Sequence, residues 1–127
     1  MNNIDHQKWE EVKKIVDQRD KRSCQFIKCL FIPEFHQLKK EYPSQIDRCH
    51  IFASGSHPEQ TYNPKNIITL NRTYHKRMDE YRNPVTGDSC DLKEHWYWWW
   101  RIYKKQPYKY NENTDYEYLL KAEIMGI

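Results

Sequence analysis

No run of apolar residues in this 127-residue chain approaches the roughly 18 needed to span a bilayer. The opening MNNIDHQKWEE has no apolar segment of the kind that directs secretion. Both absences lead to the expectation of a soluble, cytoplasmic protein without a membrane partner. Apolar residues are modest at 38%, and there is no internal repeat, low-complexity tract or linker-like stretch. The chain is long enough for one core and too short for two ordinary ones, so a single domain over 1–127 is expected. Nor is there a large excess of one charge: 21 Lys and Arg against 18 Asp and Glu give +3, which permits a nucleic-acid partner without demanding one. What the chain has is rings. Aromatics make up 15%, with five Trp and ten Tyr, so the core must be built largely from them, which argues against disorder despite the polar average.

Local patterning predicts the elements. Trp9, Val12, Ile15 and Val16 recur at helical spacing and predict an amphipathic helix over about 5–19. The short apolar run CQFIKCLFIPEF, interrupted by Pro33, reads as a strand or hairpin arm, and Lys39 to Ser44 reads as a polar loop. Ile46 to Phe52 is a strand candidate, followed by the loop ASGSHPEQTYNP and a second β-branched strand, NIITL. Thr73 is placed to cap a helix carrying His75, Met78 and Asp79, with Asn83-Pro84 as its stop. Leu92, Trp96, Trp99 and Tyr103 then share a helical face, with Asp91 and Glu94 as a capping box. Trp98 and Trp100 lie off that stripe, where a core role and a base-stacking role both remain open. Thr114 and Glu117 suggest a further cap before a last helix holding Leu119, Leu120 and Ile124, so helices occupy about 91–127.

Strand, loop, strand and helix bring His50, Asn66 and His75 to one corner if the strands form a hairpin and the helix crosses them. A neutral imidazole at His50 can accept a proton near pH 7 and so serve as a general base. His75 and Asp79, four residues apart, share a helical face and could hold one divalent cation together.

These segments resemble the HNH endonucleases of the ββα-metal class. DRCHI matches the first histidine, NPKNIITL the central asparagine and NRTYHKRMD the last histidine, while RDKRSCQFIKC is similar to the arginine, aspartate and cysteine run that precedes the motif in phage and bacterial members. The resemblance covers about 19–83. It implies an α+β domain with a ββα-metal (His-Me finger) core flanked by helices, which hydrolyses phosphodiester bonds in double-stranded DNA using Mg²⁺ or Mn²⁺, with Zn²⁺ as an alternative ion.

By the same resemblance His50 is the general base, Asn66 braces its loop, and His75 is a metal ligand with Asp79 one turn on. Cys49 stands where many members carry Asp or His as a ligand, and a thiol suits a hard cation poorly. Either Asp47 replaces that ligand, or Cys49 binds a softer ion, or Cys49 packs in the core. Arg72, Lys76, Arg77 and Arg82 would contact phosphates, with Arg101, Lys104 and Lys105 continuing the track. Cys24 and Cys29, with Cys90 at a distance, offer part of a structural zinc site, but LNRTYH has Asn71 and Tyr74 where a second cysteine pair would stand. His6, His36, His57 and His95 are expected to be solvent-exposed or hydrogen-bonded, with His57 able to approach a phosphate. Two other readings compete: a nucleic-acid-binding module that keeps the fold without catalysis, and a zinc-stabilised interaction domain.

Overall fold

A computed structural model describes residues 5–30, 32–36, 45–106 and 115–125. The expected loop over 39–44 and the expected cap residue Thr114 lie outside them. Helix α1 (His6–Asp20) starts where the Asp5 carboxylate accepts from the Lys8 N–H, and ends where Lys21 turns left-handed and donates its N–H to Asp17. Val12 and Val16 are buried and Trp9 is half-buried, but Ile15 is 49% exposed. The buried stripe is therefore narrower than the sequence suggests: the apolar cluster that Val12, Val16 and Trp9 join is a small one, completed by Ile67 and Tyr62.

The run after Cys24 is helical, which corrects the expected strand. Helix α2 (Gln25–Cys29) buries Gln25, Phe26 and Ile27, and a short helical turn over 33–36 follows with Pro33 in its first position, where a missing N–H costs nothing. Phe26 and Phe35 stack at 5.2 Å and both meet Tyr74 edge-on. Burying rings of this size stabilises the fold by about 1.5–3 kcal/mol each.

Strand β1 (Ile46–His50) pairs antiparallel with β2 (Ile67–Asn71), with Ile46 opposite Asn71 and His50 opposite Ile67. β1 is two residues shorter than expected, although Ile51 and Phe52 remain buried beyond it. Side-chain alternation sorts β1 between two faces. Arg48 and His50 face α1, where they meet Asp17 and Trp9, while Cys49 joins the main core on the other face. All five residues of β2 are buried. Its outer edge is covered by the last residues of α1: Arg19 donates to the carbonyl of Ile67 and to that of Pro64 (2.8 Å), and Asp20 accepts from the Thr69 N–H at 3.0 Å.

Helix α3 (Arg72–Asp79) follows β2 without a loop and packs on both strands. Its cap is Asn71, whose side chain accepts from the Thr73 N–H, rather than Thr73 itself. It also stops earlier than the expected Asn83-Pro84, because Tyr81 adopts a left-handed φ of 55°. Helix α4 (Leu92–Tyr103) is capped by Asp91, which accepts from the Glu94 N–H at 2.8 Å. Glu94 itself accepts from the Asn83 side chain instead of completing a capping box. Trp98 is buried alongside Trp96, Trp99, Ile102 and Tyr103, whereas Leu92 is exposed, so the core-facing stripe is shifted and wider than the periodicity suggests. Helix α5 (Asp115–Met125) packs against α4 and buries Tyr116 and Leu120. The result is a small α+β domain with one two-stranded sheet among its described residues. None of its described helices is long and apolar enough to cross a membrane.

Candidate functional site

His50 ends β1 on the α1 face, its ring stacked on Trp9 at 5.7 Å between centroids. Its Nε2 lies 2.9 Å from the carbonyl oxygen of Thr61. A carbonyl can only accept, so Nε2 carries the hydrogen and Nδ1 presents a lone pair. Thr61 sits in the loop between the strands, and Asn66 fixes that loop from beneath. The fully buried Asn66 amide donates to Phe52 O (3.0 Å) and Gln60 O (3.2 Å), and accepts from Phe52 N–H (2.8 Å) and the Tyr116 hydroxyl (3.0 Å). Two donors and two lone pairs are all used.

On the other side of β1, Asp47, His75 and Asp79 form a row. His75 Nδ1 is 3.0 Å from Asp47 Oδ2, and its Nε2 is 3.2 Å from Asp79 Oδ2, across one turn of α3. The second oxygen of Asp47 is bonded to Arg72 at 3.1 Å. Burial works to raise the Asp47 carboxyl, but the hydrogen bonds from Arg72 and His75 outweigh it and hold the group below the usual carboxylate range. Both Asp47 oxygens are thus engaged, one by Arg72 and one by His75. A neutral His75 that gives its Nδ1 hydrogen to Asp47 turns the Nε2 lone pair toward Asp79.

Among the described residues no three His, Cys, Asp or Glu side chains converge on one point. The donors offered are the pair His75 Nε2 and Asp79. That pair fits a hard cation that keeps several waters and takes phosphate oxygens, and does not fit tetrahedral zinc with three or four protein ligands. Cys49 is 1% exposed within the core, and burial, with Asp47 and Asp79 adding to it, pushes its thiol well up. It is a core residue, the third of the alternatives above, and no ready thiolate. Cys24, Cys29 and Cys90 are free thiols, each pushed up by burial, and assemble no zinc site among the described residues.

The expected phosphate-binding cations divide. Arg77 donates to the carbonyls of Pro84 (2.9 Å) and Val85 (3.3 Å), and Arg82 to that of Gly87 (3.0 Å), so both clamp the turn after α3. Arg72 is paired with Asp47 but 60% exposed, and Lys76 is exposed. On α4, Arg101 lies over the rings of Trp98 (4.8 Å) and Tyr97 (5.7 Å), and Lys104 over Trp100 (5.6 Å).

A cleft of about 230 Å³ is lined by His50 and Asp79 together with His57, Tyr81, His95 and Trp96. His95 was expected to be exposed or hydrogen-bonded. It is 5% exposed instead, and its Nδ1 has no hydrogen-bond partner among the described residues. Burial takes its imidazole down to about 4, so it is neutral at pH 7. Sequence reasoning assigned His95 no place in the site and did not single out Tyr81; the signal for them is their position beside the ring cluster WYWWW and the end of α3. Comparison of the chain with protein-family models, with curated proteins and with solved structures finds no match.

Proposed function

We propose that this protein is a metal-dependent DNA endonuclease of the HNH type, with β1, β2 and α3 as its ββα-metal core. The observation that carries the reading is the His50 to Thr61 hydrogen bond: it fixes the tautomer that leaves Nδ1 free to take a proton from water. Asn66 holds the Thr61 loop and so holds the base in orientation. His75, oriented by Asp47, and Asp79 are the residues to hold a Mg²⁺ or Mn²⁺ ion. Such an ion, when bound, supplies positive charge against the phosphate oxygens as negative charge develops on them. His50 accepts the proton of the attacking water, and the cut leaves 5′-phosphate and 3′-hydroxyl ends. Lys76 and Arg72, with Arg101 and Lys104 on α4, contact the backbone of duplex DNA, and the setting is the cytoplasm.

The competing reading, a nucleic-acid-binding module without catalysis, draws on the shortage of donors around His75. Nicking of supercoiled plasmid separates the two. Relaxed circles that accumulate with Mg²⁺ or Mn²⁺ and disappear with EDTA support the nuclease, whereas metal-independent binding with intact plasmid supports the module.

A further inference from the structure

Helix α4 turns one side to the cleft, through His95, Trp96 and Trp99, and another to solvent. At 3.6 residues per turn, Lys93, Tyr97, Trp100, Arg101 and Lys104 fall within about 100° of arc on that outer side. Lys93, Tyr97 and Lys104 are exposed there, and Trp100 and Arg101 are half-exposed. No acid stands among them, since Glu94 lies at the margin and accepts from the Asn83 side chain. The cations are also uncommitted. Arg19, Arg48, Arg72, Arg77 and Arg82 each donate to a protein oxygen, whereas Lys93, Arg101 and Lys104 have no side-chain hydrogen bond or ion pair among the described residues. Arg101 is held instead over the rings of Trp98 and Tyr97, which positions the guanidinium without using its N–H groups. Trp98 is a core residue at 7% exposure, and Trp100 stacks on Tyr103 at 6.1 Å beneath Lys104. Tyr97, 49% exposed, is the ring left open.

Cations without acids suit a polyanion, and an open ring among them suits a flat partner. An anionic lipid surface asks for a continuous apolar helix face, which this alternation of rings and cations is not. A paired duplex keeps its bases stacked on one another and offers Tyr97 only its backbone. We infer that the outer face of α4 docks single-stranded nucleic acid, with an unpaired base on Tyr97 and the flanking phosphates on Lys93, Arg101 and Lys104. Arg101 covers one face of the Tyr97 ring, so the base takes the other. The rise from Lys93 to Lys104, about 16 Å, gives room for a few nucleotides. This narrows the backbone contact proposed above for Arg101 and Lys104, and rests on that reading for the nucleic acid alone, not for cleavage.

The test uses the full chain in EDTA and the fluorescence anisotropy of labelled DNA: a base-bearing single strand, an abasic strand of equal length and charge, and a paired duplex. Wild type is expected to bind the base-bearing strand about tenfold tighter than the abasic one. Tyr97→Ala should abolish that preference while keeping the abasic and duplex affinities, and Tyr97→Phe should preserve it. Lys93→Ala should weaken both single strands alike and lower the slope of log affinity against log salt by about 0.7. Equal affinity of wild type for base-bearing and abasic strands overturns the assignment, as does a preference that survives Tyr97→Ala. An equal loss on the duplex with Tyr97→Ala also overturns it, as does binding to phosphatidylserine vesicles without binding to the strand. Plasmid nicking reports on cleavage separately: base preference without nicking removes the nuclease and keeps the α4 face, and nicking without base preference does the reverse.

Discussion

His50 donates from Nε2 to the carbonyl oxygen of Thr61 at 2.9 Å, which leaves Nδ1 as the nitrogen able to take a proton. His50→Ala should therefore slow single-turnover nicking by about 10²–10⁴-fold while DNA binding stays near wild type. Turnover within a few fold of wild type, measured at saturating protein, would remove His50 from the mechanism.

Asn66 uses its whole hydrogen-bonding capacity on Phe52, Gln60 and Tyr116. Asn66→Ala leaves buried groups unpaired and should cost about 3 kcal/mol in urea denaturation. Asn66→Asp keeps the size but sets a carboxylate against the carbonyls of Phe52 and Gln60. It should be at least as destabilising at neutral pH and recover partly in acid, where the carboxyl is protonated.

His95 makes stability depend on pH in a definite window. The folded protein lowers this imidazole from 6.5 to about 4, so the unfolded chain takes up a proton between those values that the folded chain refuses. Stability is then undiminished above pH 6.5 and declines as the pH falls toward 4, by about 3 kcal/mol over the window. His95→Gln should flatten this limb of the profile when unfolding midpoints are compared at pH 7 and pH 5. The depressed carboxyls of Asp17 and Asp47 act in the same direction only at lower pH, near and below the ordinary Asp value of 3.8.

Lys76 and Arg77 are neighbours with different tasks. Lys76→Ala should weaken DNA binding and lower the slope of log affinity against log salt by about 1, with an unchanged melting temperature. Arg77→Met should do the opposite, destabilising the fold by about 1–2 kcal/mol through the freed carbonyls of Pro84 and Val85 and leaving the salt slope alone. A salt slope that drops for Arg77→Met would return Arg77 to the phosphate contacts.

Cys49 tests the metal shell from the inside. Replacement by Asp supplies a hard oxygen but buries a carboxylate at a position 1% exposed. The expected result is loss of several kcal/mol of stability with no gain in Mg²⁺-dependent nicking, while Cys49→Ala costs about 1 kcal/mol. A folded, more active Cys49→Asp would show that the thiol faces the ion.

The hairpin of β1 and β2 and the helices α1, α3 and α4 were legible because their signals are local: alternation, 3.6-residue spacing and the caps Asp5 and Asp91. The approach of Asp47, His75 and Asp79 follows from that same hairpin and from one turn of helix. The segment Gln25–Cys29 misled because a short apolar run has no period that separates strand from buried helix. The hold of Arg77 on the turn was not legible, because its acceptors are backbone carbonyls seven and eight residues on, which no residue identity announces. His95 was hidden for a related reason. Its burial is set by Tyr81, Trp96 and Trp99 closing around it, and only tertiary packing decides that.

The grip of Arg19 and Asp20 on β2 bears on how this protein lives at high concentration. The cross-strand bonds of Ile51 to Asn66 and Arg72 to Gln45 turn residues 66 and 72 toward β1, which leaves the Ile67 carbonyl and the Thr69 N–H pointing outward. Such an edge invites a strand from another copy, the first step of sheet-to-sheet aggregation. Arg19 donates and Asp20 accepts at these two groups, so one helix end imitates a third strand and seals the border against recruitment.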